Sequence, residues 1–296
     1  MHRPDGGETH SYRAADGLRP SYRAFGPADG ETIVLCHGLA AGSLQFIADA
    51  EHFAAAGYRV LVPDLRGHGQ SAAPATIGPR SFSIATMADD MLAMLDAAGA
   101  TRVHRVGNSL GGIVALELVG RAPQRLASLS LFGTAFTLNL PALVAPVFPL
   151  LYATLGRALL ARITAFNTTR HPPARPVIAA MARAFDPRVG AAISAQVRRY
   201  DLLDNALAYP GPVLVLVGGR DTAVNLALRP ALRRIGPRRG WTVSELPLGG
   251  HCANLDATDA WRAALTAFWQ GAGAAPASAP PAGGATAGPL PPAPAR

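Results

Sequence analysis

Short apolar runs bounded by turn residues, at 60–62, 103–106, 127–132 and 213–217, alternate with helix-like stretches at 48–56, 84–98 and 110–120, where apolar residues fall three and four apart. Strands separated by helices pair in parallel, because the chain must cross over before it can run the same way again, and a parallel sheet is covered on both faces. This alternation constrains the fold more than any other feature: it calls for an α/β architecture with a doubly wound, mostly parallel sheet. Upstream, 11–15 and 21–25 flank Asp16-Gly17 and read as a hairpin, with 33–36 as the next strand, so an antiparallel start feeds the sheet. Residues 242–246 read as the last strand.

The alternation stops from 133 to 207, where only loops and helical candidates (155–166 and 177–184) and the prolines Pro172, Pro173 and Pro176 are found. The domain reading is therefore a core formed by 1–132 and 208–270, an inserted helical cap at 133–207, and a disordered Ala/Pro/Gly tail at 271–296 that cannot bury enough side chain to order itself. Residues 138–156 carry one charge-free apolar stretch, but Pro141, Pro146 and Pro149 argue against a membrane-spanning helix. The cap's apolar residues are read mostly as packing on the core, with a lid over a greasy substrate or near a lipid surface as the functional alternative.

The net charge of +8 suggests an anionic partner, yet all 27 basic residues are arginine, scattered among Ala, Gly and Pro. The denser groups, Arg233, Arg234, Arg238 and Arg239 with Arg198 and Arg199 elsewhere, lack the interleaved aromatics of a nucleic-acid groove, so no nucleic-acid partner is expected. Cys36 and Cys252 form no disulfide scaffold and no zinc spacing, and each reads as a buried free thiol. Residues 1–12 lack the apolar core of a signal peptide, and the expected location is cytoplasmic.

Gly107-Asn108-Ser109-Leu110-Gly111 follows the 103–106 strand and opens a helix. In that context G-x-S-x-G lifts a serine hydroxyl above the sheet edge on a tight turn, with glycines where a side chain would block the packing; outside it, a serine there simply caps a helix. A serine needs a base, and the base an orienting acid. Of eight histidines, His37, His68 and His251 lie in loops after strands, on the rim that carries sites in doubly wound sheets. His251 precedes the final helix and is the chosen base. The strand at 213–217 ends in Gly218-Gly219-Arg220-Asp221, which puts Asp221 on the same rim as the acid. Asp256 is assigned to a helical turn, and Asp201 and Asp204 to solvent.

The order Ser109, Asp221, His251, together with Cys36-His37-Gly38-Leu39 and Asp64-Leu65-Arg66-Gly67-His68-Gly69-Gln70-Ser71 after successive strands, resembles the α/β-hydrolase superfamily over residues 11–270. The resemblance implies an oxyanion hole from the backbone N–H groups of Leu39 and Leu110. It makes His37, Gly38, Gly107 and Gly111 structural residues of the surrounding loops, and 66–71 a structural loop. It calls for no metal and no organic cofactor, and a serine at the elbow sets the chain apart from relatives that use aspartate there. Short carboxylesterases, enol-lactone hydrolases and carbon–carbon bond hydrolases of aromatic catabolism are the similar branches. The expected function is hydrolysis of a small, largely apolar carboxylic ester through an acyl-enzyme on Ser109. The rivals are a lactone or carbon–carbon hydrolase, an acyltransferase and a non-catalytic binding protein. Arg162, Arg170, Arg175 and Arg183 are candidates to bind a carboxylate wherever one points inward.

Overall fold

Strands β1 (Glu8–Ser11), β2 (Ser21–Phe25) and β3 (Thr32–Cys36) precede a helix α1 (Ile47–Ala55), and from there strand and helix alternate: β4 (Arg59–Asp64), α2 (Ile84–Ala97), β5 (Val103–Asn108), α3 (Leu110–Arg121) and β6 (Leu126–Phe132). The computed structural model describes residues 7–141 and 144–273. Between β6 and the next core strand lie β7 (Thr137–Asn139), α4 (Val144–Thr168), α5 (Arg175–Ala184), α6 (Pro187–Val197), β8 (Arg199–Asp201) and α7 (Leu203–Ala208). The core resumes with β9 (Val213–Gly218), α8 (Thr222–Ile235), β10 (Trp241–Leu246), α9 (Ala253–Asp256) and α10 (Thr258–Gly273).

The main sheet has eight strands in the order β1-β2-β4-β3-β5-β6-β9-β10. β1–β2 and β2–β4 are antiparallel, and all remaining pairs are parallel. Side chains of β3 divide between the two faces: Ile33 and Leu35 join Phe46, Phe53, Trp261, Leu265 and Trp269 under α1 and α10, while Val34 joins Leu61, Met94 and Leu95 under α2. In β9, Leu214 and Leu216 face the Trp261 layer, and Val213, Val215 and Val217 face α3. Burial on both faces is what a continuous Val/Leu run demands, and it fixes the register, since a one-residue slip would exchange the two layers.

Parallel pairing collects the carboxyl ends of β3, β5, β6 and β9 along one rim. The loops that leave this rim begin at His37, Ser109, Gly133 and Gly219.

Three local readings are corrected. The first strand lies at Glu8–Ser11 rather than 11–15, because Pro20 stands opposite Tyr12: it accepts the Tyr12 N–H (3.1 Å) and has no N–H to return, so the ladder ends at Ser11–Ser21. The segment between β6 and β9 is not purely helical, since β7 and β8 pair as a two-stranded antiparallel sheet, each only three residues long and too short to show a period. α4 is interrupted at Gly156, where φ is 74° and ψ 159°, and not at its prolines. Among the described residues no helix is long and apolar enough to cross a membrane. Gly271 to Gly273 close α10, and the remainder of the expected tail lies outside the described residues.

Candidate active site

Ser109 stands between β5 and α3 with φ 51° and ψ −115°, one of two non-glycine residues of positive φ among those described. The conformation is costly for a residue with a Cβ and is held by its surroundings. Its N–H donates to the Phe132 carbonyl (3.1 Å), and its own carbonyl accepts from the Thr134 hydroxyl (3.1 Å). The neighbouring glycines are steric necessities. A Cβ on Gly111 would lie 2.4 Å from the Cys36 carbonyl oxygen, and one on Gly107 2.5 Å from the Gly112 Cα. Beneath the turn the buried Arg105 guanidinium reaches the Val106 and Gly111 carbonyls (3.3 and 3.5 Å) and has no ion-pair partner among the described residues.

His251 and Asp221 are brought together, with Nδ1 2.9 Å from Oδ2. A carboxylate only accepts, so Nδ1 carries the proton and Nε2 is left with its lone pair. Asp221 is buried at the N-terminus of α8, where its other oxygen accepts from the Val224 N–H (3.4 Å). The pair is fastened to the elbow through Asn108, whose amide donates to the His251 carbonyl (2.9 Å) and accepts from Gln45 (3.0 Å). Gly133 separates the two: a Cβ there would meet the Asn108 amide at 2.7 Å and the His251 ring at 3.3 Å. Ser109 and His251 are both half-buried, open enough for a substrate to reach.

The 37–41 loop packs across the front of the elbow. A Cβ on Gly38 would lie 3.1 Å from the Ser109 Cβ and 3.6 Å from its Oγ, so the absence of a side chain keeps that space open. Leu110 is the first residue of α3, and its N–H lies at the positive end of the helix. Two buried histidines hold the loop from behind. His37 Nε2 accepts from the Leu65 N–H (3.0 Å), so its Nδ1–H donates to the Gly38 carbonyl (2.7 Å). His68 Nε2 accepts from the Ala40 N–H (3.3 Å), and its Nδ1–H donates to the Arg66 carbonyl (3.1 Å). Burial lowers the pKa of His37; burial and then the neighbouring His37 push that of His68 down to about 3. Both are neutral struts. Arg66 anchors the same region through Asp90 (2.6 Å) and Asp16 (2.9 Å).

Asp256 lies in the first turn of α9, and its carboxylate reaches beyond that turn. One of its carboxylate oxygens accepts from the Gly250 N–H (2.8 Å), immediately before His251, and the other from the Thr169 hydroxyl and the backbone N–H groups of Arg170 (2.8 Å) and His171 (3.1 Å). It thus ties the end of α4 to the His251 loop. The Thr168 carbonyl adds a bond from the Cys252 N–H (3.2 Å). Cys252 is buried, and burial raises its pKa far above an ordinary thiol's. Sequence reasoning missed the joining roles of Asn108, Gln45 and Asp256; a donor–acceptor network among residues distant in the chain has no spacing to betray it.

A cavity of about 310 Å³ beside His251 and Asp221 is lined also by Asn167, Thr168, Arg170 and Arg220. Of the four arginines considered for a carboxylate, Arg170 is the one on this cavity; Arg162 and Arg183 are exposed away from it, and Arg175 lies over the Phe166 ring at 4.8 Å. Among the described residues no group of three or more His, Cys, Asp or Glu is placed to hold a metal.

The family model for the alpha/beta hydrolase fold matches residues 31–258. The chain belongs to the α/β-hydrolase family. Within this family, a putative carbamate hydrolase of Variovorax paradoxus is 41% identical over 110 residues, which is 37% of this chain and 40% of that relative's length. The matched segment therefore spans about two fifths of the relative. Among solved α/β-hydrolase structures, a thermophilic esterase from Thermogutta terrifontis superposes with a TM-score of 0.78 at 22% identity, covering 90% of this chain and 99% of that one. An enol-lactonase from Burkholderia xenovorans does so with a TM-score of 0.74 at 25% identity, covering 88% and 100%.

Proposed function

We propose that the chain is a serine hydrolase that cleaves a small carboxylic ester through an acyl-enzyme on Ser109. The observation that carries the reading is the positive-φ elbow of Ser109, joined through Asn108 to the loop of a histidine whose Nδ1 lies 2.9 Å from a buried carboxylate. Ser109 Oγ attacks the ester carbonyl as His251 Nε2 takes its proton. Asp221 holds the imidazole in the tautomer that can do this and stabilises the imidazolium. The carbonyl oxygen, now negative, is held by the N–H groups of Leu39 and Leu110, fixed before substrate arrives and so free of reorganisation cost. His251 returns the proton to the departing alkoxide. Water, activated by the same histidine, then releases the acid and restores Ser109.

In this reading residues 133–207 form a cap over the core of 1–132 and 208–270. Likeness to an esterase by fold and to a named carbamate hydrolase over part of the chain supports acyl transfer to water as the reaction class. A second reading, hydrolysis of a lactone bearing a carboxylate, draws on Arg170 and Arg220 in the cavity that also holds His251.

The test is p-nitrophenyl ester hydrolysis together with labelling by a fluorophosphonate. The wild-type chain hydrolyses and is labelled, and Ser109→Ala loses labelling and at least about a thousandfold in kcat. Full activity in Ser109→Ala, or an unlabelled wild-type serine, overturns the assignment. Added alcohol or amine acceptors report in the same assay whether water is the true acceptor.

A further inference from the structure

In the second half of α4, after the break at Gly156, Leu160, Ala161 and Ala165 are buried against the neighbouring helices. Soluble proteins normally give the opposite face of such a helix to polar residues. Here that face carries Leu159 (47% exposed), Ile163 (39%) and Phe166 (53%), at i, i+4 and i+7, and Leu150, Leu151 and Leu155 extend the exposed apolar surface before the break. Exposed large apolar residues gathered on one helix face are the mark of a docking site.

The surrounding charge says what docks. From Leu140 to Phe185 the chain has five arginines, Arg157, Arg162, Arg170, Arg175 and Arg183, and no Asp or Glu. None of the five is ion-paired among the described residues. Of the acids beyond this stretch, Asp186 lies nearest in sequence and is bound to Arg188 (2.8 Å), and Asp256 is bound by backbone amides. Arg162 is exposed at the border of the apolar face, and Arg170 and Arg175 stand over the Phe166 ring at 5.8 and 4.8 Å. Long cationic side chains flanking an exposed apolar strip, in excess over the bordering acids Asp256 and Asp186, the latter held by Arg188 and also within the field of Arg157, match the interface of an anionic bilayer: the apolar groups enter the acyl boundary and the guanidiniums meet the headgroups.

We propose that this face of α4 docks the protein peripherally on an anionic lipid surface. Among the described residues no helix is long and apolar enough to span the bilayer, and the anchoring is reversible. The face ends where Asp256 and the Thr168 carbonyl tie α4 to the His251 loop, so that docking sets the loop bearing His251 next to the lipid.

The experiment is flotation of the full chain with vesicles of phosphatidylcholine alone and of phosphatidylcholine containing about one third phosphatidylglycerol. Circular dichroism and thermal melting serve as folding controls. The wild-type chain floats with the anionic vesicles and stays at the bottom with the zwitterionic ones. Arg157→Gln with Arg162→Gln weakens binding by about 25-fold, about fivefold for each charge removed. Leu159→Ser, Ile163→Ser and Phe166→Ser together abolish flotation in a folded protein. No flotation, equal flotation with both vesicles, or unchanged flotation of the folded triple variant overturns the proposal. So does a lipid-free dimer, seen by light scattering, that the triple substitution dissolves, since the occupant is then a second copy of the chain.

Discussion

Replacing His68 by glutamine tests whether a buried neutral imidazole, rather than a charged one, supports the 37–41 loop. In the fold its Nε2 must stay unprotonated to accept the Ala40 N–H, and its pKa is pushed down to about 3, whereas an unfolded chain returns it to about 6.5. Between these values the unfolded state binds a proton that the folded state refuses. The His68 contribution is therefore complete above about pH 6.5 and is lost as the pH falls towards 3. At pH 5 the unfolded imidazole is almost wholly protonated and the folded one is not, which costs about 2 kcal/mol relative to pH 7. Any folded value below about 4 gives the same figure, because the protonated fraction of the folded state is negligible at pH 5. Glutamine keeps an acceptor for the Ala40 N–H and titrates nowhere in this range. Urea unfolding at the two pH values, on both proteins, isolates the effect of removing this imidazole, since His104 and the carboxylates contribute equally to each. The wild-type chain should lose about 2 kcal/mol more than His68→Gln between pH 7 and 5. Equal losses would refute the neutral-strut account of His68.

Two further outcomes are expected from the same geometry. Asp256→Ala strips acceptors from Gly250, Thr169, Arg170 and His171 together, and should lower stability by about 2 kcal/mol, against about 1 kcal/mol for Thr169→Val, which removes one donor; denaturant titration of the pair reads the order, and equal costs would contradict the tie between α4 and the His251 loop. Gly111→Ala places a methyl against the Cys36 and His37 carbonyls and should cost about 1–3 kcal/mol and displace the 37–41 loop, whereas Gly78→Ala, with open space around it, should leave the melting temperature unchanged.

The sheet was legible because its signal is local: each core strand is an apolar run that has to be buried on both faces, and the helices between them carry their own period. The elbow was legible for a related reason, since Gly107, Ser109 and Gly111 lie within five residues and their steric demands are met by adjacent backbone. Asp221 and His251 followed from the rim to which parallel strands lead. β7 and β8 were not legible, because three residues carry no period and their partners stand some sixty positions apart. The prolines that argue against a spanning helix do not mark the break in α4, since proline near a helix start is tolerated; the glycine at positive φ does.

The interactions that sequence patterns missed share a form: a side chain from one loop satisfying the backbone of another. His68 holds the Ala40 amide, Asn108 the His251 carbonyl, Asp256 the Gly250 amide and three groups at the end of α4. Backbone polar groups in the loops of one rim cannot all pair with each other, and each left buried without a partner costs about 1–3 kcal/mol, so side chains must reach across to them. Such bonds place no demand on residue spacing; they require only that strands end on the same edge. The loops of Ser109 and His251 meet through Asn108, and the His251 loop meets α4 through Asp256, so the elbow, His251 and the exposed apolar helix form one hydrogen-bonded chain. A force on α4, whether from a bound surface or from a substitution there, has a direct route to the His251 loop through the two carboxylate oxygens of Asp256 and the Thr168 carbonyl.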